Sequence, residues 1–205
     1  MKRTVIGLLV ALAACPLAAS AGDLSYSNLE FGLARSNPDA LESANGAGIR
    51  GSGAISDNFH VFGGYERTAQ NLADISRARL GLGYNLAVAD NVDLFARVSW
   101  ENADFSQLGD ADGYGIEVGA RGAVGEHLEL SASVRYIDLD VSGGIACIAI
   151  FPTPAPCQFL FDETGGNSAV MVGAHYKFNS QWGIVADASV ASKDNRFFIG
   201  PRLSF

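Results

Sequence analysis

The chain has 205 residues, of which 48% are hydrophobic and 18% charged, and its formal net charge is −8. This length suits a single domain, the acidity argues against a nucleic-acid partner, which would require a basic face, and the apolar content argues against a disordered chain. The 24 glycines follow no triplet period, so a collagen-like chain is excluded as well.

The first 21 residues are predicted to be a secretory signal peptide. Lys2 and Arg3 give it a positive start, and the apolar run from Val5 to Ala14 is too short for a transmembrane helix, which takes about 20 residues. Ala19-Ser20-Ala21 has the small residues of a signal-peptidase site, so cleavage is expected after Ala21. Removing this segment would make the net charge two units more negative, because only basic charges leave.

The three cysteines allow two further predictions. Leu12 to Cys15 resembles a lipoprotein cleavage box, so acylation of Cys15 is an alternative to the signal peptide, although Pro16 is unusual directly after such a cysteine. In either case the chain is exported. Because exported cysteines are commonly oxidised in pairs, Cys147 and Cys157 are expected to form a disulfide bond.

After the signal peptide the chain alternates between apolar and polar residues with a period of two. In Val92–Trp100, for example, apolar residues occupy every second position, and Asp93, Arg97 and Ser99 lie between them. Successive side chains of a strand point to opposite faces, so this pattern predicts a strand with one apolar and one polar face. Ten such segments follow in chain order: 24–34, 46–55, 59–67, 75–85, 92–102, 112–121, 127–137, 168–178, 182–191 and 196–205.

No segment has a helical period, and none is long and apolar enough to be a transmembrane helix. The pattern therefore predicts an all-β chain, and sequential pairing favours an antiparallel up-and-down meander that closes into a barrel. About ten strands are expected, with eight as the alternative. The connections tend to alternate between short and long, which is typical of outer-membrane barrels with short turns on one side and longer loops on the other.

Alternation alone does not distinguish a membrane barrel from a soluble lipocalin-type barrel, whose interior is apolar. Here the large residues share the apolar face, while glycine and serine are frequent on the polar face, as a narrow lumen would require. Aromatic residues of the apolar face also gather near the segment ends, which indicates two interfacial girdles. One set is expected near the longer loops and comprises Tyr65, Trp100, Tyr114, Tyr136 and Phe197; the other comprises Phe59, Tyr84, Tyr176, Phe178, Trp182 and Phe205.

In a transmembrane barrel the polar face lines the lumen, so the lumen is expected to be ionic. Charges of both signs occur there in nearly equal number, and arginine can bind carboxylates bidentately, which favours an internal network of ion pairs. The predicted members are Glu30, Arg50, Glu66, Arg77, Arg79, Asp93, Arg97, Glu101, Glu117, Arg121, Glu129, Arg135, Lys177, Asp187, Arg196 and Arg202.

Several strings carry a resemblance to a known family. They are Leu24-Ser25-Tyr26, Asn58–Tyr65, Gly81–Asn85, Trp182–Ile184 and Gly200–Phe205. With these strings the chain resembles small outer-membrane β-barrels of Gram-negative bacteria and, more narrowly, the family of sulfation-dependent quorum factors.

The resemblance implies the cell outer membrane as location and an assembly signal in the last strand, which ends on the aromatic Phe205. The narrower family would imply a secreted signal sulfated at Tyr26. The favoured interpretation of Tyr26 is instead an ordinary strand or interfacial tyrosine. The segment around Cys147 to Cys157 is foreign to the family pattern and is interpreted as an insertion.

The sequence offers little for catalysis. His60, His127 and His175 all lie toward the short-turn side, and no nucleophile elbow, metal-ligand cluster or phosphate loop is found. Asp110 to Gly113 only faintly resembles part of a calcium loop and is interpreted as a solvated turn. No enzyme activity, cofactor or metal is therefore expected.

The region 138–167 is predicted to be a long surface loop, either a cap over the barrel mouth or an apolar tip that binds a surface ligand. The function expected first is a non-enzymatic outer-membrane protein with a structural, adhesive or surface-interaction role carried by its loops. Expected partners are membrane lipids and lipopolysaccharide, the outer-membrane assembly machinery and a possible surface ligand. The alternative is a narrow passive pore; a barrel enzyme and a secreted quorum-type signal rank below both.

Overall fold

The computed structural model describes residues 24–38, 43–69, 74–105, 109–142, 166–192 and 194–205. They form ten strands: β1 (Asn28–Pro38), β2 (Ala44–Ala54), β3 (Phe59–Ala69), β4 (Asp74–Ala89), β5 (Val92–Phe105), β6 (Gly109–Val124), β7 (Leu128–Ser142), β8 (Asn167–Lys177), β9 (Trp182–Ala191) and β10 (Asp194–Ser204). The signal-peptide residues up to Ala21, Cys15, Cys147 and Cys157 lie outside the described residues.

Every strand pairs antiparallel with its neighbours in the sequence, and β1 also pairs with β10, which closes the barrel. The prediction of a closed antiparallel barrel of ten strands is confirmed, and the alternative of eight strands is excluded. Closure leaves no strand edge unpaired, so the backbone N–H and C=O groups of the strands form their hydrogen bonds within the barrel. Within the described residues, no helix has the length and hydropathy needed to cross a membrane.

The period of two determines which side chains face outward and which face the lumen. On β5, Val98 and Trp100 are 54% and 51% exposed, whereas Asp93 on the other face is fully buried. Away from the loop-end rim, the exposed face of the strands is predominantly apolar, so the barrel has the inverse arrangement of a soluble lipocalin. The two predicted aromatic sets lie on this outer face, one at each end of the barrel.

The ends of the barrel differ in their connections. At the turn end, the strands are joined by residues 55–58, 90–91, 125–127 and 178–181; at the loop end, they are joined by 39–43, 70–73, 106–108, 143–166 and 192–193. The long connection is therefore 143–166 rather than 138–167, because β7 continues to Ser142 in register with β6. Asp138 and Asp140 consequently belong to a strand.

The first strand also begins later than predicted, at Asn28 instead of residue 24. The four preceding residues, Leu24 to Ser27, do not join the sheet. Leu24 and Tyr26 are only 4% and 5% exposed, and this segment lies inside the turn end of the barrel. The alternation changes phase at this boundary, because the apolar Leu24 and Tyr26 occupy even positions whereas the outward apolar residues of β1, such as Phe31, occupy odd positions.

Inward-facing rings lie against glycines of the next strand. Phe62 is opposite Gly81, and Phe95 is opposite Gly119. A Cβ atom added at Gly81 would come within 2.8 Å of Phe62 Cε1, and one added at Gly119 within 2.7 Å of Phe95 Cζ. These glycines therefore provide the space that lets aromatic rings lie flat against the inner wall of a narrow barrel.

Candidate functional site in the barrel lumen

All sixteen residues of the predicted lumen network lie on the inward face of their strands, and none is exposed. The structure divides them into layers along the barrel axis. The layer nearest the turn end contains Asp93, Arg121, Glu129, Lys177 and Arg202. The central layer contains Glu30, Arg50, Arg79, Arg97, Glu101, Glu117, Arg135 and Asp187. The layer nearest the loop end contains Glu66, Arg77 and Arg196.

The turn-end layer is organised around Glu129, whose side chain is 3% exposed. Arg121 forms an ion pair and hydrogen bonds with Glu129 Oε2. Lys177 Nζ lies 2.5 Å from Oε1, and His175 Nδ1 lies 3.3 Å from Oε2. Glu129 is thus surrounded by two cations and an imidazole, an arrangement that stabilises its charge without water.

The segment Leu24–Ser27 closes the lumen beside this layer, and we call it the N-terminal plug. The carbonyl of Ser25 accepts hydrogen bonds from Arg121 Nη1 at 2.9 Å and Arg202 Nη2 at 3.4 Å. The hydroxyl of Tyr26 donates to Asp93 Oδ2 at 3.0 Å. Burial, reinforced by the Asp93 carboxylate, raises the pKa of Tyr26, so the hydroxyl keeps the proton that it donates.

His60 connects the N-terminal plug to the central layer. Its ring stacks on Tyr26 with 4.6 Å between centroids. Its Nδ1 lies 3.3 Å from Asn85 Oδ1, and its Nε2 accepts a hydrogen bond from Arg97 Nε at 3.2 Å. Because Nε2 accepts this bond, the geometry assigns the proton of neutral His60 to Nδ1. Both ring nitrogens and one face of the His60 ring therefore take part in structural contacts.

In the central layer, Arg50 bridges two acids from different strands. Its Nη2 lies 2.9 Å from Glu30 Oε2 on β1 and 2.5 Å from Asp187 Oδ2 on β9. Arg135 on β7 pairs with Glu101 on β5, two strands away. This second pair passes over Gly115 of β6, where an added Cβ would lie 2.9 Å from Glu101 Oε1.

Arg97 and Arg79 complete the central layer with weaker contacts. Arg97 Nη1 is 3.8 Å from Glu117 Oε1, and Glu117 Oε1 also accepts a hydrogen bond from Ser133 Oγ at 2.8 Å. Among the described residues, no carboxylate lies within ion-pairing distance of Arg79. Its guanidinium carbon is 5.9 Å from the centroid of Phe62.

Aromatic rings support the arginines of the central layer. Arg50 Cζ lies 3.6 Å from the centroid of Phe198, and Arg97 Cζ lies 5.2 Å and 4.6 Å from those of Phe62 and Phe95. A guanidinium over an aromatic face is favourable at these distances. The rings therefore fix guanidinium groups in positions that ion pairs alone would leave adjustable.

The loop-end layer gathers around Asp194, which lies two residues before the predicted start of the last strand. Asp194 Oδ2 lies 3.5 Å from Arg77 Nη2 and 3.4 Å from Arg196 Nε, and its Oδ1 accepts a hydrogen bond from Ser36 Oγ at 2.7 Å. Glu66 lies in the same region, where its Oε1 is buried without a hydrogen-bond donor.

Sequence reasoning missed three kinds of lumen residue. Phe62, Phe95 and Phe198 lie on the polar face, and their positions in the alternation could have revealed them. Asp194 could have been found in the same way if β10 had been started two residues earlier. The N-terminal plug had one signal, the shift of its apolar residues to even positions. Its contacts with Asp93, His60 and Arg121 could not be predicted, because they join residues far apart in sequence.

The described residues hold no group of three or more His, Cys, Asp or Glu side chains arranged to bind a metal ion. The contacts of His60 and His175 likewise include no serine, threonine or cysteine nucleophile. What this lumen offers chemically is a set of guanidinium groups in confined space.

That space consists of three cavities stacked along the axis, with volumes of about 140, 90 and 70 Å³ from the turn end to the loop end. Arg50, Arg79 and Asp187 line both the first and the second cavity. Arg77, Glu101 and Arg196 line both the second and the third. Side chains of the network therefore form the partitions between the cavities.

Comparison with known proteins identifies the same architecture. A family model described as "Outer membrane protein beta-barrel domain" matches residues 7–146. A search of curated proteins finds no match.

Solved structures of outer-membrane proteins are similar at low identity. OprG from Pseudomonas aeruginosa is 13% identical, with 91% of this chain and 98% of that chain covered and a TM-score of 0.41. Ail from Yersinia pestis is 13% identical over 89% of this chain and 100% of its own, with a TM-score of 0.43. The KdgM porin is 12% identical over 87% and 99%, with a TM-score of 0.43. Likeness at this level carries no inference about ligand or activity.

Proposed function

The chain belongs to the outer membrane protein beta-barrel family and lies in the cell outer membrane; from this premise we propose that it is a non-enzymatic barrel with a closed lumen that acts through its outer surface. The observation that supports a closed lumen is the set of small cavities, lined by charged side chains, in its described part. A ten-stranded barrel is narrow enough for its own side chains to fill it. Here the charged layers separate three small cavities, and the N-terminal plug occupies the turn end.

Ion pairs between strands that lie three or four positions apart around the barrel extend across part of the lumen. Arg50 on β2 reaches Asp187 on β9, and Arg77 on β4 reaches Asp194 on β10. These contacts cross the space that a permeating solute would need. A continuous aqueous passage would require at least one of them to open, leaving charges that are partly shielded from water without their partners.

Single-channel recording in a planar bilayer tests the closed lumen. We expect the full-length protein to produce no reproducible conductance steps. The variant Arg50→Ser, which removes the partition between the first two cavities, serves as the enlarged-lumen control, and Arg67→Ser, on the outer face, serves as the matched substitution. Heat-dependent gel mobility confirms that each protein is folded. Reproducible steps from the unaltered protein would overturn the proposal.

A narrow passive pore is the second candidate, and the stacking of the three cavities favours it. Only side chains separate them, so a change of rotamers could join them without any movement of the backbone. If this candidate is correct, the unaltered protein conducts and Arg50→Ser raises its conductance. The same recordings therefore separate the two functions.

The outer surface supports a role in interaction because its charge is unevenly distributed. Five aspartates lie on the outward faces of β5, β6 and β7 at the loop end: Asp104, Asp110, Asp112, Asp138 and Asp140. The hydroxyls of Tyr114 and Tyr136 donate to Asp138 at 3.1 and 3.4 Å. On β1 and β3, by contrast, the outward charges at the loop end are the exposed Arg35 and Arg67.

This acidic arc favours contact with lipopolysaccharide through divalent cations or with a basic surface ligand. The connection 143–166, which contains the predicted pair Cys147 and Cys157, lies directly after β7 and is the proposed variable part. Binding of the purified barrel to lipopolysaccharide should decrease when Mg²⁺ is chelated and when Asp138 and Asp140 are both changed to Asn. Undiminished binding in both cases would exclude the cation-mediated contact.

The exposed ring of Phe205 and the pairing of β10 with β1 support the proposed recognition by the assembly machinery. Tyr26 gives no comparable support to a secreted quorum-type signal. Its hydroxyl lies against Asp93, so a sulfate group at this position would place two negative charges together. For this reason a signalling role is not part of the proposed function.

A further inference from the structure

Among the described residues, Arg79 is the lumen cation that has no carboxylate within ion-pairing distance. Arg50 is bound by Glu30 and Asp187, Arg135 by Glu101, and Arg97 is close to Glu117. Arg79 is partly buried in their midst, and its recorded contact is with the ring of Phe62. A guanidinium group shielded from water and lacking an acid is costly, so an additional anion would stabilise this position.

The space for such an anion is the first cavity, of about 140 Å³. Arg79 forms part of its wall together with Arg50, Arg97 and Phe62. The inward-facing Gly173 also contributes to this wall, and it adds no side chain to the cavity. A cavity of this size accommodates several water molecules, and therefore also a small anion.

Two guanidinium groups of this cavity contact the same aromatic ring. Arg97 and Arg79 both lie over the ring of Phe62, with their Cζ atoms 5.2 and 5.9 Å from its centroid. The ring restricts their movement, and the long distance of 3.8 Å between Arg97 and Glu117 leaves donor capacity on Arg97. Planar guanidinium donors match the paired oxygens of phosphate, sulfate and carboxylate groups.

We propose that Arg79 and Arg97 form a binding site for a small oxoanion in the first cavity, with the face of Phe62 as its base. The class includes inorganic phosphate, sulfate and small carboxylates, which share the paired oxygens that guanidinium groups bind. The site does not depend on conduction, because an anion held within a closed barrel satisfies the same charges.

Glu66 offers the competing explanation, since it is an acid without a described partner. It lines the second cavity together with Arg79 but does not line the first. If a change of rotamers paired Glu66 with Arg79, no anion would be needed. The variant Glu66→Gln separates the two explanations, because it abolishes an internal pair but leaves the proposed anion site intact.

Isothermal titration calorimetry of the detergent-solubilised full chain, with inorganic phosphate as the first probe and sulfate and acetate as further arms, tests the site. Charge-assisted hydrogen bonds carry the binding, so Arg79→Gln should weaken phosphate binding by about tenfold or more. Arg67→Gln, which alters an exposed arginine on the outer face, should leave it unchanged. The three arms identify which oxoanion is preferred.

Absence of binding by the unaltered protein, or equal binding by Arg79→Gln, would overturn the proposal. Binding that appears only in Glu66→Gln would also overturn it, because Arg79 would then be paired internally. Heat-dependent gel mobility confirms folding, and Arg79→Lys adds a second check: it keeps the charge but loses the fork of donors, so it should bind more weakly than the unaltered protein and more tightly than Arg79→Gln. Conductance is measured separately, so failure of this site and failure of the closed-lumen function are distinguishable.

Discussion

The turn-end and central layers of the lumen use the same residue types in opposite ways. At the turn end, Glu129 is surrounded by Arg121, Lys177 and His175, and the N-terminal plug excludes water from the group. In the central layer, Arg79 has no acid within ion-pairing distance among the described residues and borders two cavities. Saturated pairing therefore marks a structural layer, whereas an unmatched charge beside a cavity marks a place where a ligand can bind.

The largest expected effect comes from neutralising the acid at the centre of the turn-end layer. Glu129→Gln should lower the free energy of unfolding by about 3–5 kcal/mol, because Arg121 and Lys177 would be left shielded from water without their counter-charge. Denaturant titration of the barrel in lipid vesicles measures this loss. The matched variant Glu66→Gln removes an acid without a described partner and should change stability by less than about 1 kcal/mol. Equal losses would contradict the distinction between the layers.

The next effect tests whether the central layer depends on packing rather than pairing. Gly81→Ala should cost about 1–3 kcal/mol, since the added Cβ would meet both the backbone carbonyl of Val98 and Phe62, the ring beneath Arg79 and Arg97. Gly53→Ala is the control, because the nearest atom to its added Cβ is 3.9 Å away. The same denaturant titration compares the two variants, and a larger loss at Gly53 would show that the ring does not require this space.

A smaller effect on the free energy of unfolding is expected at Arg79, and the substitution there should not lower it. Arg79→Met in buffer free of oxoanions should leave stability unchanged or raise it by up to about 1 kcal/mol, because the substitution removes an uncompensated charge and keeps an apolar chain over Phe62. Arg121→Met, at the turn end, should be clearly destabilising. If Arg79→Met were as destabilising as Arg121→Met, Arg79 would have a structural partner.

The smallest effect is expected outside the lumen. Arg67 on β3 pairs with Asp74 on β4 at 2.7 Å, but both side chains lie on the outer rim, and that of Arg67 is 62% exposed. Exposed pairs of this kind contribute little, because water and salt screen them. Arg67→Gln should therefore leave the unfolding midpoint unchanged. A clear shift would show that an ion pair on the outer rim can contribute as much to the free energy of unfolding as one in the lumen.

Much of the site could be predicted because a strand has only two faces. Once the outward, lipid-facing residues of β5 and β7 were recognised, the inward positions of Glu101 and Arg135 followed from the alternation. The pairing of these two could not be predicted, since it skips β6 and depends on the space at Gly115. The predicted start of β1 was wrong because the apolar positions change from even at Leu24 and Tyr26 to odd at Phe31, and this change was not taken as the strand boundary.

By itself, the sequence determined the barrel, its ten strands and the faces of its charged residues, because alternation is a local property that each strand expresses independently. Only the tertiary structure decided which charges meet. Arg50 and Asp187, or Tyr26 and Asp93, come together through closure of the barrel and the stagger between its strands, which no single segment encodes. The unmatched state of Arg79 is likewise a property of the closed barrel, since it emerges only after Glu101, Glu117 and Asp187 have found other partners.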